Sequence, residues 1–404
     1  MEQKTYKFQD VCETITDYVA NGSFKSLADN VQYSDTKDYA RLIRLVDFNN
    51  NYDEKNAIWV PESSYKFLKK SALYGSEIII SNVGANLGTV FKCPKLGYPM
   101  TLGPNAILAK TNVICNQNYL YYYLKSKIGY SKLMALVSGS AMPKFNKTDL
   151  RNMEISLPDR SYQDKAAELL LRIDDKIELN NKINNNLFNL VLNDFNDFLD
   201  KNIDAEIVKL EDCVEKINTG ADAIQRAPIV DYDTGIRCIR IGDMTNGRDY
   251  HSWGFTKMTD KDFENYKLIR NDIVITRTAV NGLTYMITDE ENTVCNNGNI
   301  RLRVNKKYNP LYIYLNTKTN DFRNYIDRIN GETSVRPNMK VEYFTNYEIK
   351  KIDLEKQNAF CLRAESIMKK IQNNKVENYN LEQLRETLLP KLINGEIDLD
   401  NIEI

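Results

Sequence analysis

Two acidic pairs, Asp174-Asp175 and Asp231-x-Asp233, and a single histidine, His251, are the groups in this chain with the types and spacing for acid–base, metal or nucleophilic chemistry. Paired carboxylates can share a proton or hold a metal ion. Asp174-Asp175 lies in a long stretch of helical periodicity, where acids cap solvated turns, and Asp231-x-Asp233 lies in a turn, where aspartate is common. One histidine nearly excludes a histidine-based metal centre or a Ser/His/Asp set. The cysteines at 12, 93, 115, 213, 238, 295 and 361 form no Cys-x-x-Cys pair. They read as reduced, mostly buried thiols of a cytosolic protein, not as disulfides or zinc ligands. The chain has no Gly-x4-Gly-Lys-Ser/Thr loop, no Gly-x-Gly-x-x-Gly after a strand and no Asp/Asn-Pro-Pro-aromatic motif. The expectation is a chain with no catalytic site, no metal site and no cofactor of its own, so binding is the better-supported class.

The elements that would position a binding site are written twice. At an offset of 194 positions, Pro143 falls on Pro337, Asn152 on Asn346, Glu154 on Glu348, Ile155 on Ile349, Asp159 on Asp353 and Gln163 on Gln357. The same register brings Ile173 to Ile367, Lys176 to Lys370, Ile177 to Ile371, Asn180 to Asn374, Asn184 to Asn378 and Leu187 to Leu381. In all, 14 identities fall in 48 gapless positions, several times chance. Upstream the register drifts, but Ile43-Arg44-Leu45-Val46-Asp47 echoes Ile239-Arg240-Ile241-Gly242-Asp243, and Glu77-Ile78-Ile79-Ile80-Ser81 echoes Asp272-Ile273-Val274-Ile275-Thr276. Asn118-Tyr119-Leu120 and its continuation echo Asn309-Pro310-Leu311.

Each copy begins with about 150 residues of mixed character. Short β-rich runs at 42–46, 77–83, 105–109, 236–241, 272–276 and 300–304 alternate with Gly and Asn turns, and 118–136 and 309–329 look helical. Each copy ends in one long helix. Gln163 to Phe198 contains no Gly or Pro, and apolar residues recur at three- and four-residue steps. Pro158 and Asp159 give the start signal. Such a helix spans roughly 55 Å, too long for the core of one small domain, so its stripe must pair with its own repeat. The fold class expected is α+β: a tandem repeat of two α/β domains separated by two long antiparallel helices in a coiled coil. The helix-pair residues are Ile173, Ile177, Asn180, Asn184 and Leu187 against Ile367, Ile371, Asn374, Asn378 and Leu381. The asparagines have two readings, a buried register lock or a solvated Asn-rich face.

The domains expected are 1–158, 159–204 (central helix), 205–352 and 353–404 (second helix). The overall charge of −1 argues against nucleic acid at first sight. The two mixed segments carry net +5 and +1, while the helices carry −4 and −3. Nucleic-acid binding is thus permitted. Two readers at the ends of a rod would act as a ruler, contacting two short DNA sites with an unread gap. No apolar run reaches membrane-spanning length and residues 1–10 lack a signal-type apolar region, so the expected location is cytoplasmic.

Three stretches resemble a known family, the specificity subunits of type I restriction–modification systems. Ile155-Ser-Leu-Pro158 with Gln163, followed by Ile173-Asp-Asp-Lys-Ile-Glu-Leu-Asn-Asn-Lys-Ile-Asn184, is similar to that family's central conserved region. Leu388-Leu-Pro-Lys-Leu-Ile-Asn-Gly-Glu-Ile397 is similar to its C-terminal signature. The resemblance covers essentially the whole chain, with one departure: Pro158-Asp-Arg-Ser-Tyr-Gln163 lacks the second proline and acidic residue often found before the Gln. It implies two target-recognition domains separated by long antiparallel helices. It implies double-stranded DNA and two modification (methyltransferase) subunits as partners, often with restriction subunits, and no membrane. S-adenosylmethionine, ATP and Mg would then sit on the partner subunits.

Under that resemblance, base edges are read by Arg or Lys at guanine and Asn or Gln at adenine, with further residues on phosphates. The expected carriers are loops late in each recognition domain: Ser138, Ser140, Lys144, Asn146 and Lys147 in the first copy, and Thr333, Ser334, Arg336, Asn338 and Lys340 in the second. Loops after a strand come next, with Asn82 and Asn86, and Arg277, Thr278 and Asn281. The second domain holds 11 arginines against three in the first, as guanine or phosphate contacts or as internal ion pairs. Two other classes stay open: a coiled-coil scaffold without a DNA role, and the recognition half of a fused restriction–methylation enzyme.

Overall fold

A computed structural model describes residues 2–139, 142–288, 290–332 and 338–399. The chain forms two compact units: Met1–Lys176 with Leu381–Ile404, and Ile177–Asn380. Each unit therefore contains one α/β domain and a part of both long helices, Arg160–Asp200 and Leu354–Ile393.

In the first unit the main sheet runs Cys12–Asp17, Ala106–Thr111, Ile78–Ser81, Val90–Lys92, antiparallel throughout. A second sheet runs Ile58–Val60, Ala40–Ile43, Met100–Leu102, Ala72–Leu73, its central pair parallel. The three consecutive isoleucines at 78–80 follow from this layering, because the strand is buried on both faces. Ile78 and Ile80 pack with Tyr119, Leu120 and Leu170 on the helical side. Ile79 packs with Phe91, Met100 and Leu102 on the side of the second sheet. The helical layer is Gln117–Lys125 and Lys127–Ala135, two helices and not one. Ser126 is extended (φ −66°, ψ 160°) and its hydroxyl accepts from the Gly129 amide, a cap that restarts the helix.

The second unit repeats this order. Its main sheet is Val214–Thr219, Asn299–Val304, Ile273–Thr276, Thr284–Met286, and its smaller sheet again contains a parallel pair, Arg237–Ile239 with Thr293–Cys295. Ile273 and Ile275 face the helical cluster and Val274 faces Trp253 and Ile239. The first strand of each main sheet carries a register shift at the corresponding place, between Cys12 and Thr14 and between Val214 and Lys216.

Further expectations change. The run 42–46 is not a strand: the strand ends at Ile43 and a short helix, Leu45–Asn49, begins. Asp47 accepts from the Arg44 amide (2.8 Å), and Asp243 accepts from the Arg240 amide (2.9 Å) in the second copy. The Ile-Arg-x-x-Asp echo is thus a capped strand-to-helix turn, in which the carboxylate satisfies an amide the first helical turn leaves unpaired. The tyrosine-rich echo is also offset by two residues. Asn116, not Asn118, is the counterpart of Asn309, and both cap the first helix of their layer.

Those two caps are held by the repeated glutamines. Gln163 is buried; its Oε1 accepts from the Asn116 amide (2.9 Å) and its Nε2 donates to Pro158 O (2.9 Å). Gln357, also buried, accepts from the Asn309 amide (2.9 Å) and donates to Ile352 O (2.6 Å). A buried amide satisfied at both ends fixes each domain on the start of its long helix.

The long helices pair antiparallel within each unit. In the second unit Asn180 Nδ2 donates to Asn378 Oδ1 (2.8 Å) and Glu377 Oε2 (2.8 Å), Asn378 Nδ2 to Asn181 Oδ1 (2.9 Å), and Asn374 Nδ2 to Asn184 Oδ1 (2.8 Å). Asn180, Asn184, Asn374 and Asn378 are all buried. In the first unit Arg385 donates to Asp174 Oδ1 (2.6 Å) while Tyr122 donates to its Oδ2 (2.6 Å). Asp174 thus lies not on a solvated turn but in an ion pair between the two helices. At the repeat-related place the second copy has Val191 and Met368, so this ion pair belongs to one copy alone.

Candidate nucleic-acid interface

In each domain the loop after the third main-sheet strand meets the late loop. In the first domain Val83 and Ser138 both bridge to Lys144, the Gly84 amide donates to Pro143 O (3.1 Å), and Asn82 Nδ2 donates to Phe145 O (2.9 Å). In the second domain the Met339 amide donates to Arg277 O (2.8 Å), and Arg277 Nε donates back to Met339 O (2.9 Å). Asn82 and Arg277 therefore do the same job in the two copies: each side chain closes one loop on the other.

The residues expected to face DNA divide into two groups. Asn82 and Arg277 point into the loop cluster, and Arg277 also donates to Asn297 O (3.3 Å). Burial pulls the Arg277 guanidinium below its ordinary pKa, a direction that goes with a structural bond, not with an ion in water. Asn146 accepts from the Asp149 amide (2.9 Å) and starts a short helix; Lys147 pairs with Asp17 (2.8 Å); Asn281 donates to Asn330 (2.8 Å). Asn82, Arg277 and Asn146 thus bond to backbone, and Lys147 and Asn281 to side chains. Asn86, Ser138, Lys144, Asn338 and Lys340 are exposed, and Thr278 is half-buried with its hydroxyl 3.5 Å from Gly298 O. Ser140, Thr333, Ser334 and Arg336 lie outside the described residues.

The excess of arginines in the second domain is spent largely inside it. Arg301, buried, reaches Asn218 (3.0 Å), Lys267 O (2.7 Å) and Asn265 O (3.2 Å). Arg303 holds the buried Asp272 through two bonds of 2.7 and 2.6 Å, and this pairing raises its pKa. Arg237 donates to Trp253 O (2.6 Å) and Arg240 to Cys238 O (3.1 Å).

Of the expected helix-pair residues, Ile173, Asn180, Asn184, Ile371, Asn374 and Asn378 are buried, and Ile177, Leu187, Ile367 and Leu381 are half-buried. All seven cysteines are free thiols, six of them buried, and burial holds them above the usual thiol range. Among the described residues no group of three or more His, Cys, Asp or Glu is placed to hold a metal ion, and no helix is long and apolar enough to cross a membrane.

Residues 2–189 match the family whose description is Type I restriction modification DNA specificity domain. The chain is 27% identical over 335 residues to the type I restriction enzyme MjaIX specificity subunit of Methanocaldococcus jannaschii, covering 73% of this chain and 72% of that one. Along most of its length this chain is similar to the type I restriction–modification specificity subunits. The MjaVIII specificity subunit of the same organism is 23% identical over 358 residues, covering 81% and 80% of the two chains. The fold is that of the type I S subunit from M. genitalium, at a TM-score of 0.57 and 14% identity, covering 97% and 96% of the two chains.

The groups that the sequence left unmarked are the ones that hold the loops. The Lys147–Asp17 and Arg303–Asp272 pairs join residues 130 and 31 positions apart, and no local pattern marks them. One signal was available: the acids that open the echoed strands. Glu77 accepts from the Tyr74 and Gly75 amides (both 2.8 Å), and Asp272 accepts from the Ile269 amide (2.9 Å). An acid recurring at that point marks a capped turn.

Proposed function

We propose that this specificity subunit reads a bipartite DNA target, one half-site per α/β domain, within a type I restriction–modification complex that it serves without catalysing a reaction. The observation that carries this reading is the duplication of the loop cluster: the same two loops meet in both domains, closed by Asn82 in one and Arg277 in the other. Two copies of one reader in one chain match a split target as a symmetric dimer matches a palindrome. The long helices, whose pairing surfaces are set by the asparagines and the Asp174–Arg385 pair, are the docking elements for two modification subunits and, where present, restriction subunits. S-adenosylmethionine, ATP and Mg belong to those subunits. The site of action is the cytoplasm, with no membrane partner.

Within the loop clusters, Asn86, Ser138, Lys144, Thr278, Asn338 and Lys340 make the contacts to DNA, while Asn82, Asn146, Lys147, Arg277 and Asn281 position them. Lys144 and Lys340 are the phosphate anchors. Lys144→Ala and Lys340→Ala should each weaken binding on every duplex alike and lower the slope of log K against log salt by roughly 0.9, one phosphate contact's worth. A salt titration of the complex on specific and unrelated duplexes measures this. An unchanged slope in both variants would remove the lysines, and with them this placement of the interface.

A further inference from the structure

Phe24 and Ile224 are 84% and 83% exposed, and each lies in the segment that follows the first main-sheet strand of its copy, Phe24 at the start of a helix and Ile224 in a turn. Phe24 follows the first main-sheet strand, Cys12–Asp17, by seven residues; Ile224 follows its counterpart, Val214–Thr219, by five. Single exposed apolar side chains are ordinary on a protein surface. What sets these two apart is that the segment leading to each begins at an aspartate bonded to a residue of, or next to, its own domain's loop cluster.

In the first domain Asp17 is the tie. Its Oδ1 accepts from the Ala20 amide (2.9 Å), fixing the turn Tyr18–Asn21, and also from Lys147 Nζ (2.8 Å), which adjoins the late loop. The chain then enters the helix Phe24–Asn30, where Ser23 caps the Ser26 amide (3.2 Å) and Phe24 is the first helical residue. In the second domain Asp222 is the tie. Its Oδ1 accepts from the Ile224 (3.0 Å) and Gln225 (2.8 Å) amides, which draw its pKa down, and its Oδ2 accepts from Asn297 Nδ2 (3.2 Å). Asn297 O in turn accepts from Arg277, the residue that closes this domain's loop cluster. Gly220 lets the chain pass there: a Cβ at that position would stand 2.2 Å from Cys295 O. Two different sets of bonds thus produce one result, a turn that is hydrogen-bonded at its start to the loop cluster or its edge and that carries an exposed apolar side chain. The exposed residues next to them are Ser23 and Lys25 in one segment and Gln225 and Arg226 in the other, with Arg226 bonded to Tyr266 and facing Asp262.

We infer that Phe24 and Ile224 are apolar wedges, one per half-site, that insert against or between bases of the DNA that the loop clusters contact. An apolar side chain of this kind unstacks a base step and bends the duplex, so the sequence at that step is read through its deformability as well as its edges. This inference rests on the DNA-reading function proposed above and adds to it a pair of specificity-determining residues.

Phe24→Ala and Ile224→Ala, made singly in the full chain assembled with its modification subunit, provide the test. Both sites are exposed, so folding and assembly should be unchanged. The probe is a duplex carrying the bipartite sequence that the wild-type complex methylates, with 2-aminopurine placed in turn at each step of both half-sites. In the wild type, fluorescence rises at one step per half-site. Each variant should lose the signal in its own half-site only and bind the specific duplex about ten- to a hundredfold more weakly, with the salt slope unchanged because no charge is lost. Full signal and full affinity in both variants would overturn the wedge. So would loss of the modification subunit from the complex, which would make these residues a protein contact. If the wild type itself methylates no bipartite sequence, the failure lies in the underlying function and not in the wedge alone.

Discussion

Replacing Arg303 with methionine is expected to cost the second recognition domain about 3 kcal/mol of stability. Asp272 is fully buried, between a capped turn and the central strand Ile273–Thr276, and Arg303 from the neighbouring strand supplies both charge-assisted bonds to it. Removing the guanidinium leaves the carboxylate, among the described residues, with the Ile269 amide as its remaining side-chain hydrogen bond and only the through-space attraction of Arg301. Leaving a buried charge uncompensated costs far more than the pair itself contributes, because the desolvation of the acid is still in force. The double variant, Asp272→Asn with Arg303→Met, should therefore recover most of the loss. Denaturant unfolding can be followed by Trp253 fluorescence in a Trp59→Phe background, since Trp253 packs in the same domain against Val274. A loss below about 1 kcal/mol for Arg303→Met, or a double variant no better than the single one, would show that the pair does not hold this domain. Because the turn that Asp272 caps leads into the strand Ile273–Thr276, directly before Arg277, the second half-site should lose affinity before the first.

The helix pair gives the second large effect, and here loss and gain separate. Asn180→Leu removes the donor to Asn378 and Glu377 at a position with almost no exposure. It should destabilise the second unit by about 2 kcal/mol, the cost of a broken buried polar network. Replacing Asn180, Asn184, Asn374 and Asn378 together with leucine removes the desolvation along with the bonds. That variant should be at least as stable as the wild type but less uniquely paired, since leucines slide where asparagines match. Spin labels at Ile183 and Val376, both on exposed parts of the two helices, measure the outcome. One narrow distance is expected for the wild type and a broadened or split distribution for the fourfold leucine variant. A single narrow distance in that variant would assign the register to the surrounding apolar contacts, such as Phe198 on Phe360 at 4.9 Å.

How much of this was legible in the sequence depended on whether a residue's partner recurs with it. Gln163 and Gln357 stand out at an offset of 194 because each makes the same two buried bonds in its own copy. The asparagines stand out because each pair places a residue of one copy opposite the other copy's neighbour, Asn180 to Asn378 and Asn374 to Asn184. Periodicity alone could not say whether those asparagines face water, since a stripe position and its neighbour differ by one side chain. The loops were the harder case. An arginine in a turn has the same letter whether its Nε reaches a base or Met339 O, so Arg277 read as a contact where the fold uses it as a clasp. Asn82, Lys147 and Asn281 share that ambiguity, with partners 63, 130 and 49 positions away. Capping chemistry was the other gap: Ser126 and Asp47 override the helical and strand patterns around them with one side-chain bond each.

The claim that one chain carries two readers is tested most directly by the adenine methylome of a methylation-free host expressing this subunit with its modification subunit. One bipartite motif with a fixed unread gap is expected, in which changes at Asn86 and Ser138 alter only one half and changes at Thr278 and Asn338 alter only the other. A continuous motif, or a bipartite motif whose halves both change with either set, would contradict it.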